Sequence, residues 1–463
     1  MLLSIGAACF SPLYLSASTA QVFPAGGTAC VAGVATTFNS ISVAVGGVVS
    51  NSTIYVCPGT YAEQVAITKK LTLIGVSGNG LSGSGAMGAN NPVIVSPAGG
   101  VVANAADLYN SQPTAAQIFV QTPSGSLATP ILVKISNITV DGSNNGLSGC
   151  GTDLVGIYYQ NASGIVDHVT TRYQELDASD FGCQDGLAIY IQSGYSTSGT
   201  ANVSIENSSV HDYDKNGITA DGSGTVATIS GNYVVGIGAT SLIAQNGVQM
   251  SDGARGVIKN NTVTDDVYVN PLDCGPPDNT PYCYSSTGIL LYDSGGTSGS
   301  HVTISGNTVS NTQGAIVVVT DGVETADYND VSSNKVTTNA AIVVPAITYL
   351  LDGIDLCSDH NTATSNTVFN SSGSGIHIDS ECTEPSSAPT GNHSTVTGNT
   401  INEACAGVLT GSGTLNNVSG NITSNVVETS ASGDTCPVSM GPMMSGMSSV
   451  RTAAKVKPQP RGH

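Results

Sequence analysis

The sequence predicts an all-β fold, a right-handed parallel β-helix that opens on a capping helix, and three observations carry that reading. The composition suits short strands and tight turns. An apolar-x-x-Asn half-motif returns about once per coil, and a second half-motif, Gly followed by alternating apolar residues, returns in phase with it.

Composition narrows the field first. The 463 residues include 56 Gly and no Trp, with 5% aromatic and 10% charged residues. Helix bundles and coiled coils need far more Ala, Leu, Glu and Lys. Disordered chains lack the Val, Ile and Leu that recur throughout this one. Gly, Asn, Ser and Thr alternating with Val and Ile make strands broken by turns.

The period selects a solenoid over a β-sandwich. Ile229-Ser230-Gly231-Asn232, Ile258-Lys259-Asn260-Asn261, Ile304-Ser305-Gly306-Asn307, Val331-Ser332-Ser333-Asn334, Val396-Thr397-Gly398-Asn399 and Ile422-Thr423-Ser424-Asn425 carry the first half-motif, with a looser copy at Asn366. Successive Asn residues lie 29, 46, 27, 32, 33 and 26 positions apart. The second half-motif falls at Gly156, Gly186, Gly217, Gly247, Gly288, Gly314, Gly353, Gly375 and Gly407. Each coil is then two or three strands whose inward Ile, Val and Leu stack on the next coil about 4.8 Å away. The Asn sits where a bend needs left-handed geometry or side-chain hydrogen bonding, and it can ladder with its neighbours. No coil buries its face alone, so many must stack and both ends need covering.

Taken in order, Leu2–Phe10 and Leu13–Leu15 are apolar and Ser18-Thr19-Ala20 is small, so residues 1–20 read as a signal peptide cleaved near Ala20. Residues 21–52 read as the N-terminal cap, with Phe38, Ile41 and Val45 on one helical face. The β-helix spans 53–436, and Val65–Ile67 and Leu71–Ile74 are among its first strands. An excursion over Asp265–Ser286, holding Pro271, Pro276 and Pro277, accounts for the 46-residue gap. Residues 437–463, rich in Met, Ser, Pro and Lys without period, read as a disordered tail. No later apolar run is long enough to span a bilayer.

With Cys9 in the leader, ten cysteines remain, and they fall as sequence neighbours: Cys30 and Cys57, Cys150 and Cys183, Cys274 and Cys283, Cys357 and Cys382, Cys405 and Cys436. An even set at such spacings suits disulfides formed in an oxidising compartment, which places the protein outside the cell, at its surface or in the periplasm. Cys382 could equally meet Cys405. Clustered C-x₂₋₄-C pairs, which a zinc site needs, are absent.

Charge bounds the partners. Twelve Lys and Arg against 32 Asp and Glu leave −20, which repels nucleic acid and anionic membranes. An anionic glycan would need a bridging cation; a neutral one meets no barrier. A monomer is expected.

The repeats resemble the parallel β-helix repeat family of the pectin-lyase-like fold over roughly residues 30–435. The opening stretch Ile54–Gly75 is similar to the first coil of pectin methylesterases and of periplasmic copper-centre-assembly-type β-helix proteins. Gln184-Asp185-Gly186-Leu187 echoes one methylesterase segment, but the Gly-Thr-Val-Asp-Phe-Ile-Phe-Gly and Arg-Pro-Trp segments are absent. Asp352-Gly353-Ile354-Asp355 is similar to the polygalacturonase Asn-Thr-Asp segment. No Asp-Asp follows one coil later, where Gly373-Ser374-Gly375 stands, and Asp265-Asp266 lies in the excursion.

Pectate lyases give the closest partial match. Val166-Asp167-His168, Asp185-Gly186-Leu187 and His211-Asp212-Tyr213-Asp214-Lys215 resemble their Asp-His, Asp-Gly-Leu and Lys segments. The resemblance implies that the acids hold Ca²⁺ and that Lys215 contacts substrate. The catalytic Arg-x-Pro-Arg segment has no counterpart, because Gly236–Met250 contains no Arg.

Two constellations stand out from the residues themselves. The second and fourth residues beyond each Gly should face outward. They offer Tyr158, Tyr190, Asp221, Gln249 and Tyr292 as a surface for a sugar, rings to stack on and polar groups for hydroxyls. His211, Asp212, Asp214, Lys215 and Asp221 crowd the turn into one coil, with Asp185 one coil earlier, and supply carboxylates of the kind Ca²⁺ takes; the pectate-lyase resemblance adds Asp167 to that set. Separately, Gly353 and Gly375 are 22 positions apart, which stacks His377 over Asp355. Asp379 then becomes a diagonal neighbour of Asp355 at roughly 7–8 Å, within the about 6.5–9.5 Å of inverting glycosidases. Asp355, His377, Asp379 and Lys215 are the catalytic candidates. The expected function is binding, with cleavage as the further step, of a polysaccharide by a secreted β-helix. A non-catalytic surface or adhesion scaffold is the competing class.

Overall fold

The computed structural model describes residues 18–77, 91–195, 199–269, 282–320, 325–337, 342–344, 347–349, 352–371, 373–380, 391–433 and 455–458. One coil is made of the strands Ala201–Glu206, Ser209–His211 and Asn216–Asp221, and the next of Thr225–Ser230, Tyr233–Thr240 and Asn246–Ser251. Each strand pairs in parallel with its counterpart one coil on: Ile205 with Ile229, Val210 with Val234, Ile218 with Val248. Repeated along the chain, this produces sheets of 14 and 23 strands. The chain is a right-handed parallel β-helix.

Inward positions form aliphatic ladders. Ile157, Ile189, Ile218, Val248, Ile289, Ile316, Ile354 and Ile376 follow one another in register and are all buried. Each such side chain contributes about 1.5–3 kcal/mol on burial.

Polar groups are laddered too. Asn232, Asn261, Asn307, Asn334 and Asn366 each give their backbone N–H and side-chain Nδ2 to Oδ1 of the next Asn, at 2.8–3.0 Å. Nδ2 also reaches back to a carbonyl of the preceding coil, as from Asn307 to Ile258 O at 2.9 Å. The bend itself is taken by the residue before: Gly231, Asn260, Gly306, Ser333, Ser365, Gly398 and Gly420 all have φ between 54° and 67°. The Asn therefore serves through its amide alone, and its neighbour supplies the left-handed turn. At the C-terminal end the partner of Asn399 is Asn421, not Asn425. Val418-Ser419-Gly420-Asn421 is the true copy of the motif, and Asn425 bonds Asn402 at the surface.

At the N-terminal end, Thr19–Val22 is a strand paired with both Thr36–Phe38 and Ser52–Val56. Ala20 is buried opposite Ile54, so the expected leader boundary falls within this strand; residues 1–17 lie outside those described. The helix runs Ile41–Gly47 and buries Ile41, Ala44 and Val45. Phe38, expected on that helix, lies in the strand before it. Glu63 accepts from Ile41 N and Ser42 N at 2.8 and 2.9 Å, and Lys69 Nζ donates to Val48 O at 2.6 Å, matching charge to each helix end.

Other segments differ from expectation or fall outside the described residues. The stretch read as an excursion from Asp265 begins later, because Thr262–Tyr268 is a strand; Asn261 still bonds Asn307 across the 46-residue interval. Lys455–Pro458, read as disordered, forms a strand parallel to Tyr282–Ser285. Cys30–Cys57 and Cys150–Cys183 are disulfides. Cys357 and Cys405 are disulfide-bonded as well, with partners outside the described residues, where Cys274, Cys382 and Cys436 lie; the Cys283 side chain is likewise not described.

The buried Asn307 serves two coils at once, so Asn307→Ala orphans donors on Asn261 and a carbonyl on Ile258. Unfolding by denaturant should show a loss of about 2–4 kcal/mol. Asn421→Ala at the half-exposed last rung should cost under half of that, and equal losses would show that the ladder's burial does not set its worth.

Candidate functional site

Pairing sets the outward side chains of the third strands in two rows. One row runs Tyr158, Tyr190, Thr219, Gln249, Leu290, Val317, Asp355 and His377. The other runs Gln160, Gln192, Asp221, Ser251, Tyr292, Val319 and Cys357. Asp379 continues it, since Ile378 pairs with Leu356. Gly186 stands two positions out of phase, which is why Ala188 falls in the core while Tyr190 faces out.

Direction away from the core does not bring exposure. Tyr158, Tyr190, Asp221, Gln249 and Tyr292, the expected sugar-facing residues, are all buried. Over the first coils the cause is a strap, residues 101–112, folded back across the sheet with Ala105–Ala106 antiparallel to Pro113–Gln121. Asp107 on the strap accepts from Tyr190 Oη at 2.9 Å and Gln192 Nε2 at 3.1 Å. The same two groups also donate to Asp221, each at 3.0 Å. Tyr158 and Tyr190 stack on each other, 4.8 Å apart and 15° from parallel, and leave no ring face for a ligand. Gln249 is taken up by Asn216 and Asn246.

Of the acids expected to hold Ca²⁺, Asp185 and Asp214 are electrostatic neighbours, and Asp167 lies apart from them. Asp167 ends a strand of the other sheet, near Lys134 Nζ at 3.8 Å and His168 Nδ1 at 2.7 Å. Asp212 pairs with His211 at 2.6 Å. Asp185 and Asp214 are buried and accept from the backbone N–H groups of Leu154, Gly186 and Leu176. Lys215 is buried with Nζ on Ala244 O at 2.6 Å, and desolvation pulls its pKa well down. It reaches no surface from which it could touch a glycan. Sequence proximity misled here because Asp212, Asp214 and Lys215 straddle a bend and point to different sides of the wall.

The second constellation is drawn together. Asp355 pairs with His377 across adjacent coils, and Asp355, His377 and Asp379 each present a ligand atom within 4.8 Å of the others. Their oxygens are thus closer than the separation expected for an inverting hydrolase. His377 is buried at the back, and Asp355 and Asp379 are half-exposed in front. The imidazole is aimed by Asp352, whose Oδ2 lies 3.0 Å from Nδ1. Asp352 is itself fixed by Ser374 N at 2.6 Å and Ser374 Oγ at 2.7 Å. Beside the acids, Leu290, Tyr292, Val317, Val319 and the disulfide-bonded Cys357 form an apolar cluster. An aimed imidazole between two carboxylates can transfer protons or hold a cation.

Sequence reasoning gave no role to Asp352, although its signal, an Asp three places before Asp355, was present. Asp107 carried no such signal, because the strap has no period.

No protein-family model matches this sequence, and no curated protein does. Among solved structures, the chain is similar to the Agl-KA catalytic domain at 13% identity and TM-score 0.49, covering 87% of this chain and 70% of that one. It is similar to the Azotobacter vinelandii mannuronan C-5 epimerase AlgE6 A-module at 15% and 0.41, covering 84% and 92%. It is similar to DFA-IIIase from Arthrobacter chlorophenolicus A6 at 13% and 0.40, covering 81% and 78%. Likeness at this level assigns no role to any residue of the site.

Burial makes the carboxyls beneath and beside the strap weak acids. Burial and then the neighbouring Asp252 push Asp221 up to about 8, and burial pushes Asp185 to about 7 and Asp214 to about 9. Raised values mean that folding favours the protonated forms, a contribution fully present below the unfolded carboxyl pKa of about 4 and lost progressively as pH rises from there to the folded values of about 7 to 9. The melting temperature should therefore fall across that interval, and Asp221→Asn with Asp214→Asn should flatten the fall. An unchanged slope in the double variant would refute the assignment.

Proposed function

We propose that this chain is an exported protein that binds and processes a polysaccharide by acid–base chemistry at Asp355, His377 and Asp379. The convergence of these three side chains on one outward strand face carries the reading. Two partly buried carboxylates and a buried, aimed imidazole beside them suit proton removal and return at a sugar carbon or linkage. Spacing under 4.8 Å leaves no room for a water between the acids, so inverting hydrolysis is the least favoured route. Export is supported by the Cys30–Cys57 and Cys150–Cys183 disulfides. Among the described residues no helix is long and apolar enough to cross a membrane.

Purified protein incubated with pectate, alginate and neutral glucans should release unsaturated ends or new reducing ends, or change the sugar's configuration, on at least one. Asp355→Asn and Asp379→Asn should each lower that rate by about 10²–10⁴-fold with the melting temperature retained. Turnover unaffected by either substitution would sink the proposal, and binding without turnover would favour a scaffold.

A further inference from the structure

We infer that Asp355, His377 and Asp379 bind a divalent first-row transition metal of the Mn²⁺-to-Zn²⁺ range. The inference rests on the site proposed above and concerns its metal-loaded form, in which the three side chains would serve as ligands, without depending on which sugar that site takes.

The donor set is the first argument. Two carboxylates and one imidazole, drawn from two adjacent coils, converge within 4.8 Å. Bond lengths of about 2.0–2.2 Å to such donors need ligand atoms roughly 3–3.5 Å apart, a small contraction for side chains on neighbouring strands. Hard cations such as Ca²⁺ and Mg²⁺ choose all-oxygen sets. Imidazole with carboxylates suits the later first-row ions.

The support behind the histidine is the second argument. Its Nδ1 is engaged by Asp352 at 3.0 Å, which turns Nε2 to the opposite edge of the ring as the nitrogen a metal would take. A carboxylate behind a ligating histidine fixes its tautomer and raises its basicity. Asp352 is held in turn by two bonds from Ser374, so the partner that aims His377 is itself fixed in place.

Electrostatics is the third. Two neighbouring carboxylates on a chain of net charge −20 favour a cation over an anion at this place. Three protein ligands leave further positions of the metal open to solvent or to a sugar oxygen. That supplies the bridging cation without which an anionic glycan would be repelled. Cys357 is no competitor for the metal, being disulfide-bonded.

The test uses the full chain, stripped with chelator and titrated with Mn²⁺, Zn²⁺ and Ca²⁺ by calorimetry, with Co²⁺ added for its visible absorption. One Mn²⁺ or Zn²⁺ per chain, a Co²⁺ spectrum showing nitrogen and oxygen ligation, and a raised melting temperature are expected. Asp355→Asn and His377→Gln should abolish binding, and Asp352→Asn should weaken it about 10–100-fold, with metal-free melting temperatures as the control for folding. If His377→Gln does not fold, Asp355→Asn and the wild-type titration decide. No saturable Mn²⁺ or Zn²⁺ binding, a preference for Ca²⁺, or binding indifferent to these substitutions would overturn the inference. Glycan turnover without metal binding would overturn it while sparing the proposed function; metal binding without turnover would do the reverse.

Discussion

Axial register is the constraint on which everything else in this molecule depends, and the buried asparagine ladder holds it. A parallel coil could slide along its neighbour by two residues and still keep its apolar side inward, because the side-chain period of a strand is two. The ladder forbids the slide. Each Asn from Asn261 to Asn399 accepts two bonds from the Asn before it, donates two to the Asn after it, and donates a third to a carbonyl of the preceding coil. A slip would leave several buried amides unpaired at about 1–3 kcal/mol each. With register pinned at Asn334, Asn366 and Asn399, Asp355 has to meet His377.

The same rigid frame serves opposite ends of the outer face differently. Toward the N-terminal coils, Tyr158, Tyr190, Gln192 and Asp221 knit with Asp107 into a closed polar layer beneath the strap. Burial drives Asp221 there toward its neutral form, and the bonded layer acts as a structural seam. Further along, the rows pass through Leu290, Val317 and Val319 and arrive at the acids and the imidazole. Polarity returns there beside an apolar cluster and a disulfide, with two carboxylates reaching solvent. One strand row thus changes from seam to site with no change of backbone, because the side chain at each coil can vary once the ladder fixes position.

Much was legible in the sequence. The half-motifs identified the solenoid, the inward ladders, the Cys30–Cys57 and Cys150–Cys183 pairings and the juxtaposition of Asp355 with His377. All of these follow from period and nearest-neighbour spacing, which a linear string records directly. The Asn421 rung was legible too, in Val418-Ser419-Gly420-Asn421, but a neighbouring near-copy of the motif drew attention to Asn425.

Tertiary structure alone decided what lies over the outer face and where side chains turn at the bends. Residues 101–112 have no period, so nothing in their order announces that Asp107 will meet Tyr190, 83 positions away. Lys215 and Asp214 look like a surface cluster in the string, yet the bend buries both, and burial rather than identity sets their charge. Asp352 became meaningful only when its carboxylate was seen behind His377. The repeat determines direction, inward or outward, at every strand position. Exposure depends on segments outside the repeat, and that is why the sequence located this protein's acids and imidazole but misjudged its aromatic face.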